Sequence, residues 1–310
     1  MKKYIINLLA IAFLSTTLTS CLKDDSLVLD PAKGHNVIEF ANPAQIAVNG
    51  TPSPMYQFAY STASLPTLPI TVSYSGPEAV APQDITVRIT PGTLSKIAEY
   101  NTATSSSYTL LGSASYTLSA TEVVIKAGTS KATFNVAFRP LTFEFTGLQV
   151  LPLTISSVSS GIISGNFNTI LLNVTPKNIY DGVYKITAGN VQRYTTPTSP
   201  TQNDGLNGDL TGNPNLSLQT INLTTVQISG LTWHGGSTSV SGIDNLRATI
   251  DPATNLVTMN ALGNTSLRNI PGTVSTYDPA TKTFTLNFEW NPTANRRAIT
   301  GFVIKYDHER

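Results

Sequence analysis

The chain has 310 residues, and its 19 basic side chains almost balance its 18 acidic ones, giving a formal net charge of +1. Because the charges are so evenly balanced, the chain has no excess of basic residues that would attract nucleic acid, and nucleic acid is not an expected partner. Hydrophobic residues make up 40% of the chain and charged residues 12%, which indicates a folded protein rather than a disordered one. The length of the chain suggests about two domains.

The first twenty residues, MKKYIINLLAIAFLSTTLTS, have the organisation of a secretory signal peptide. Lys2 and Lys3 precede an apolar stretch of about ten residues, too short for a membrane span of about 20. The only cysteine, Cys21, follows at once, and this order resembles the lipobox of bacterial lipoproteins. The resemblance implies cleavage before Cys21 and its acylation, with outer-membrane lipid as the partner of the acyl anchor. An ordinary cleavage site beside a chance cysteine is the alternative.

The residues after the cysteine indicate a cellular location. Lys23, Asp24 and Asp25 resemble the surface-export signal of Bacteroidetes lipoproteins, which implies the extracellular face of the outer membrane. The alternative is a charged, solvated tether. We interpret residues 1–20 as signal peptide, 21–36 as lipidated tether, 37–176 as a first domain and 177–310 as a second.

The first domain is predicted to be a β-sandwich. Short runs in which apolar and polar residues alternate put one face of a strand on a core and the other in water. Eight such runs occur, near residues 37–41, 55–61, 68–75, 84–90, 121–126, 131–139, 148–157 and 168–175. Turn residues at this spacing are typical of an immunoglobulin-like sandwich.

One segment of this domain has helical spacing instead. In TLSKIAEYN, Leu94, Ile97 and Ala98 stand at i, i+3 and i+4, which predicts an amphipathic helix of about two turns. We expect this helix to cover one end of the sandwich.

Residues 85–138 resemble a family of N-terminal β-sandwich domains of unknown function. That family has a tyrosine-rich loop, a YTLS strand and a hairpin with an AG turn. The corresponding positions of this sequence are occupied by Tyr100, Tyr108 and Tyr116, and then by the hairpin around Val123 and Gly128. The family is common in Bacteroidetes surface lipoproteins of polysaccharide-utilisation loci. The resemblance implies a fold and a setting, and it brings no catalytic residue.

The second domain is predicted to be an antiparallel β-barrel. TIDPATNLVTMN and TYDPATKTFTLN, at residues 249–260 and 276–287, each place DPAT between two strands, where Asp caps the turn and Pro presets φ. They predict consecutive hairpins. With the YDGVY that follows the linker at residues 175–182, they resemble the lipocalin-like, calycin-type barrels of such lipoproteins. A second β-sandwich is the alternative.

Motifs for chemistry are scarce. His35, His234 and His308 lie far apart, so no metal-ligand cluster and no cofactor is expected. Neither a nucleophile elbow nor a phosphate-binding loop occurs. A glycosidase would need two facing carboxylates, for which Asp244 and Glu289 are the candidates that the sequence leaves open.

Residue types typical of sugar binding occur at strand ends in the second domain. Sugars stack on aromatic rings and bond to short polar groups. The candidate glycan-binding residues are therefore Trp233, His234, Trp290, Asn291 and Arg296. Trp290 continues the alternation of Phe284, Leu286 and Phe288 and so lies on the same face of the strand, which favours a core position. For Trp233 the sequence does not decide between the core and the surface. The polar loop after residue 195, with Gln202, Asn203, Asp204, Asn207 and Asp209, is either a rim or a solvated loop.

These observations favour a non-catalytic surface lipoprotein that binds oligo- or polysaccharide, or glycoprotein glycan. An outer-membrane importer complex is an expected neighbour. The alternative is a structural or adhesive surface lipoprotein, fimbrial or protein-binding, and a glycoside hydrolase has the least support.

Overall fold

The computed structural model describes residues 34–41 and 51–310. The signal peptide, the lipidation site Cys21 and the export signal Lys23, Asp24 and Asp25 lie outside the described residues. The described chain is nearly all β and forms two domains, one ending at Lys177 and the other beginning at Gly182. The predicted fold class is confirmed.

The first domain is a sandwich of two sheets. In spatial order, one sheet contains β10 (Ile162–Ile163), β1 (Val37–Phe40), β3 (Thr67–Ser75), β8 (Lys131–Phe138) and β6 (Tyr116–Leu118). The other contains β2 (Met55–Ser61), β11 (Thr169–Lys177), β9 (Gln149–Val158), β4 (Ile85–Pro91) and β7 (Glu122–Ile125), with β5 (Thr109–Leu110) beside β9. The eight predicted runs all form strands. The short β5 and β10 were not predicted, because two residues cannot display an alternation, whereas β6 is the YTLS strand that the family resemblance implied.

Helix α1 (Leu94–Thr104) is longer than predicted and packs elsewhere. Its buried residues are Ile97 and Tyr100, whereas Leu94 is 65% exposed and Ala98 is also exposed, so the predicted apolar face is confirmed for Ile97 and wrong for Leu94 and Ala98. Ile97 and Tyr100 cluster with side chains of β2, β9 and β11 that point away from the sandwich core. The helix therefore covers the outer face of the second sheet rather than an end of the sandwich. Two short 3-10 turns, Ser113–Ser115 and Pro140–Thr142, complete the domain.

The second domain is one curved antiparallel sheet. In spatial order it contains β17 (Val257–Ala261), β16 (Leu246–Ile250), β15 (Thr225–Ser229), β14 (Leu216–Thr220), β12 (Gly182–Arg193), β21 (Arg297–His308), β20 (Thr283–Trp290) and β18 (Arg268–Asn269). Two short strands lie off this path, β13 (Gly208–Asp209) beside β12 and β19 (Thr276–Asp278) beside β20. Both DPAT segments form the predicted hairpins, β16–β17 and β19–β20.

The edges of this sheet come together at a seam between β17 and the segment that holds β18 and β19. The Val257 amide donates to the Ser275 carbonyl at 2.9 Å, and the Tyr277 amide donates to the Asn255 carbonyl at 2.9 Å. Between them, the Asn269 side chain donates to the Val257 carbonyl and accepts from the Met259 amide, both at 2.7 Å. The sheet is thus a nearly closed barrel, as predicted, and a continuous aromatic and aliphatic cluster fills it.

The barrel has two unlike ends. The proximal end, where β12 begins, has short turns that include both DPAT turns, and it faces the first domain. The distal end, where β12 ends, carries four longer loops, at residues 194–207, 230–245, 262–267 and 291–296.

Candidate functional site

All five glycan-binding candidates from the sequence lie at the distal end. The rings of Trp233 and Trp290 are tilted against each other with centroids 6.0 Å apart. Their exposed fractions are only 6% and 2%, so both rings belong to the barrel core and offer no free face to a sugar. The core position of Trp290 is confirmed, and the hypothesis that these rings are stacking platforms does not fit their burial.

His234 and Asn291 hold loops together. His234 is exposed, its ring lies against Gly208, and Nδ1 lies within hydrogen-bond distance of the Asp209 carbonyl oxygen. Asn291 has a left-handed φ of 50°, and its side-chain oxygen accepts from the Asn264 amide group at 3.1 Å. His234 Nδ1 and the side-chain oxygen of Asn291 are therefore occupied by contacts with neighbouring loops.

Arg296 belongs to an ion-pair network around a buried acid. Glu289 is 3% exposed, and its carboxylate pairs with Arg296 at 2.7 Å and with Arg268 at 2.9 Å. The Arg296 guanidinium also lies 4.7 Å from the centroid of the Tyr194 ring. Glu289, one of the two carboxylates considered for hydrolysis, is thus held by two arginines, while Asp244 lies exposed in a loop.

The polar loop of the distal end is tied down by Arg193. Its guanidinium pairs with Asp204 at 2.6 Å and lies 5.5 Å from the Trp233 ring centroid, and its amide donates to the Asn207 side chain at 2.7 Å. Asp209 caps a turn instead, because the amide and hydroxyl of Thr211 donate to it and lower the pKa of its carboxyl. Gln202 and Asn203 take no part in these contacts.

A groove of about 610 Å³ lies at the other end of the barrel, between the two domains. Four segments line it: the end of β2 with its following turn, the linker, the β19–β20 hairpin and the end of β21. Ligand pockets occur preferentially at such domain interfaces. We call it the interdomain groove.

Three tyrosines line the interdomain groove: Tyr60 from the first domain, and Tyr277 and Tyr306 from the second. Among the described residues, no group forms a hydrogen bond with any of their three hydroxyls. Burial raises the pKa of Tyr60 and of Tyr277 to about 12, so both hydroxyls keep their proton at neutral pH. The groove thus offers aromatic surface together with uncommitted hydroxyl donors.

Lys282 supplies a positive charge. It directly follows the second DPAT segment and has a left-handed backbone conformation with φ of 50°. Its ammonium lies 4.4 Å from the centroid of the Tyr306 ring. Within the described chain it has no carboxylate partner. Lys177, across the groove, donates to the Arg310 carbonyl at 2.7 Å. Lys282 therefore has ammonium protons free for a ligand.

The exposed Glu309 carboxylate supplies an acceptor, while Asp181 is a buried part of the groove wall. Its side chain is 2% exposed, and Oδ2 accepts from the amide and the hydroxyl of Thr220 at 2.7 and 2.8 Å and faces Arg310 at 3.3 Å. The other oxygen, Oδ1, is buried without a hydrogen-bond partner in the described chain. Leaving a buried acceptor unpaired costs about 1–3 kcal/mol, and because this oxygen has no accessible surface, a ligand in the groove does not reach it.

The linker that carries Asp181 is rigid. β11 runs to Lys177, so the linker is shorter than the sequence predicted and comprises residues 178–181 only. Asn178 is 3% exposed, and its amide group donates to the carbonyls of Asn222 and Thr225 at 2.8 and 3.1 Å. Its side-chain oxygen accepts from the Tyr180 amide at 3.0 Å. These bonds fix the linker to the barrel.

The sequence did not reveal this groove. Its lining residues come from four segments between residues 59 and 310, and no local pattern shows that they meet. The nearest signals were YDG at the linker and the tyrosine that precedes the second DPAT, which mark the proximal end without marking a cavity. Within residues 34–41 and 51–310, no group of three or more His, Cys, Asp or Glu could hold a metal ion.

Two family models match the chain in succession. One, described as an N-terminal domain, matches residues 40–162, and one, described as C-terminal, matches residues 168–301. The chain contains both matched domains. No curated protein matches it. No helix among the described residues is long and apolar enough to span a membrane.

Solved structures with the same arrangement come from Bacteroides. A Bacteroides ovatus protein of unknown function matches with a TM-score of 0.56 at 11% identity, over 88% of this chain and 95% of its own. A second protein of unknown function from the same organism matches with a TM-score of 0.50 at 16% identity, over 86% and 94%. These two likenesses show the fold. An auxiliary nutrient binding protein from Bacteroides thetaiotaomicron matches with a TM-score of 0.42 at 14% identity, over 85% and 94%.

Proposed function

We propose that this protein is a non-catalytic glycan-binding lipoprotein of the cell surface, and that its ligand occupies the interdomain groove. The observation that carries the proposal is the lining of the groove, which combines a lysine without a carboxylate partner, three tyrosine hydroxyls without hydrogen bonds and the exposed Glu309 carboxylate as an acceptor. A sugar has neighbouring hydroxyls that each donate and accept. An acceptor beside several donors matches that chemistry.

The aromatic content of the groove supports the same ligand class. Sugar rings carry C–H faces that pack on aromatic surface, while their hydroxyls require polar partners at fixed positions. The half-buried Tyr60 and Tyr306 supply both kinds of contact, whereas the Tyr277 ring is only 4% exposed and belongs to the barrel core, so Tyr277 contributes its hydroxyl alone. A fully apolar ligand would cover the Lys282 ammonium and the Glu309 carboxylate without bonding to them, which disfavours it.

The location is also a proposal. The signal peptide, Cys21 and the segment Lys23–Asp24–Asp25 support an acyl-anchored protein on the extracellular face of the outer membrane. Capture of glycan there, near an importer complex, is the role to which such an anchor is suited. Mature protein labelled with radioactive palmitate, and loss of that label in Cys21→Ser, would test the anchor.

Affinity gel electrophoresis tests the binding. Native gels containing a panel of host and plant polysaccharides should retard the purified protein in at least one case. Retardation should weaken about tenfold or more in Lys282→Gln, which removes the ammonium charge, and in Tyr306→Phe, which removes a hydroxyl donor. Lys185→Gln, an exposed lysine on the barrel wall, is the matched control for loss of charge and should behave as the wild type.

Two results would count against the proposal. Retardation by no glycan, together with capture of a defined protein partner, would favour the adhesive alternative. Retardation that persists unchanged in both groove variants would place the ligand elsewhere. Release of shorter saccharides during the same incubation would point to a hydrolase.

A further inference from the structure

Four arginines lie at the distal end of the barrel, and one of them has no ion-pair partner among the described residues. Arg193, Arg268, Arg296 and Arg297 meet there, and the acids paired with them are Asp204 and Glu289. Asp204 is taken by Arg193, and both oxygens of Glu289 are taken by Arg268 and Arg296. Arg297 is left without a carboxylate among the described residues.

Arg193 and Arg297 stand directly opposite each other on β12 and β21. Like charges in directly opposed cross-strand positions destabilise a sheet. Both side chains are also partly withdrawn from water, with only 28% of the Arg193 side chain exposed. Burial lowers the pKa of the Arg297 guanidinium and repulsion by Arg193 lowers it further, while attraction by Asp204, which is paired with Arg193, offsets part of this.

The hydrogen bonds of these two arginines leave donors unused. Arg297 donates through one nitrogen only, to the backbone carbonyls of Tyr194, Asn295 and Arg296. Arg193 gives one nitrogen to Asp204, while its Nε is buried without a partner in the described chain. An unpaired charged donor in a partly buried place is costly, and an oxyanion is the group that satisfies a guanidinium best.

We propose that Arg193 and Arg297 form a binding site for an oxyanion at the distal end. The ligand class is a carboxylate, sulfate or phosphate group, whether free or carried on an acidic sugar. The ligand would place one negative group between the two guanidinium groups, and it would relieve their repulsion while using donors that now lack acceptors. This site is separate from the interdomain groove and does not depend on it.

Isothermal titration calorimetry and thermal melting with three sodium salts test the site. Sulfate, phosphate and glucuronate are titrated into the purified protein, with chloride at matched ionic strength as the reference. We expect saturable binding at one site and a rise in melting temperature beyond that caused by chloride. The inorganic arms report the oxyanion itself, and stronger binding of glucuronate than of sulfate would assign the site to an acidic sugar.

Variants keep the test decisive. Arg297→Gln should weaken binding about tenfold or more, and Arg297→Lys should restore only part of it, because a lysine keeps the charge but loses the planar fork. Lys185→Gln is the matched control, and Lys282→Gln, in the groove, should bind the anion normally, so failure of the two proposals can be told apart. Equal responses to chloride and sulfate, or unchanged binding by Arg297→Gln, would overturn the inference.

Discussion

Single residues at the proximal end determine how closely the barrel and its neighbours pack. Gly182, the first residue of β12, has φ of 156°, and a Cβ added there would lie 2.6 Å from the Tyr306 ring. Gly182 thus allows the ring to lie against the backbone, with Lys282 near the same ring. The glycine of YDG is needed for the shape of the groove wall.

Gly182→Ala should therefore destabilise the barrel by about 1–3 kcal/mol, since it adds both a clash and an unfavourable φ. Both tryptophans of the chain lie in the barrel core, so tryptophan fluorescence during urea unfolding reports on this domain. Gly205→Ala, where a Cβ would meet nothing within 4 Å, is the control and should be neutral or slightly stabilising. Equal effects of the two changes would contradict the packing assigned to Gly182.

The aspartates of the two DPAT turns link stability to pH. The Ala253 amide and the Thr254 hydroxyl donate to Asp251, and Ala280 and Thr281 do the same for Asp278. These bonds lower the pKa of both carboxyl groups in the folded protein. A lowered pKa stabilises the fold above the ordinary carboxyl pKa, and this contribution is lost as pH falls through the lowered value.

We expect the double variant Asp251→Asn, Asp278→Asn to flatten this pH dependence. The wild type should be the more stable protein near about pH 6, and the difference should disappear on approach to about pH 3. Urea midpoints from tryptophan fluorescence across that range provide the measurement. A constant difference at every pH would show that the carboxylate charge contributes nothing to the turns.

Strands, hairpins and the helix differ in how well their positions and packing could be predicted from the sequence. The long strands and both DPAT hairpins were predicted, because alternation and turn chemistry are local properties. The face of helix α1 was not, since Tyr100 rather than Leu94 is buried once β2, β9 and β11 supply a surface. The groove was missed for the same reason: Tyr60 and Tyr306 lie far apart in sequence, and only the tertiary structure brings them together.

The barrel seam depends on one side chain. Asn269→Ala would leave the Val257 carbonyl and the Met259 amide without their present partner, at a cost of about 1–3 kcal/mol for each buried group. We expect a loss of about 2–4 kcal/mol in the fluorescence-detected transition. Asn190→Ala, an exposed position on β12, is the control and should change stability by less than about 0.5 kcal/mol. Indistinguishable unfolding curves would contradict closure through Asn269.

The whole molecule is two domains joined by a short, buried linker, and the proposed ligand contacts both. Asn178→Ala would remove the bonds that hold this linker to the loop before β15. We expect the barrel transition to weaken by about 2–4 kcal/mol and glycan retention to fall with it. Ile179→Ala, at the half-exposed neighbouring position, is the control for stability alone and should leave the barrel transition nearly unchanged, since Ile179 itself lines the groove. Full glycan retention by Asn178→Ala would show that the groove does not require a fixed linker.

Hydrogen–deuterium exchange with a neutral glycan that retards the protein tests the central claim most directly. Binding in the interdomain groove predicts slower exchange on both of its walls, at residues 59–64 and 277–282, with no change at the distal loops 194–207 and 291–296. Protection confined to the distal loops, or to a surface of the first domain away from the groove, would contradict the proposal.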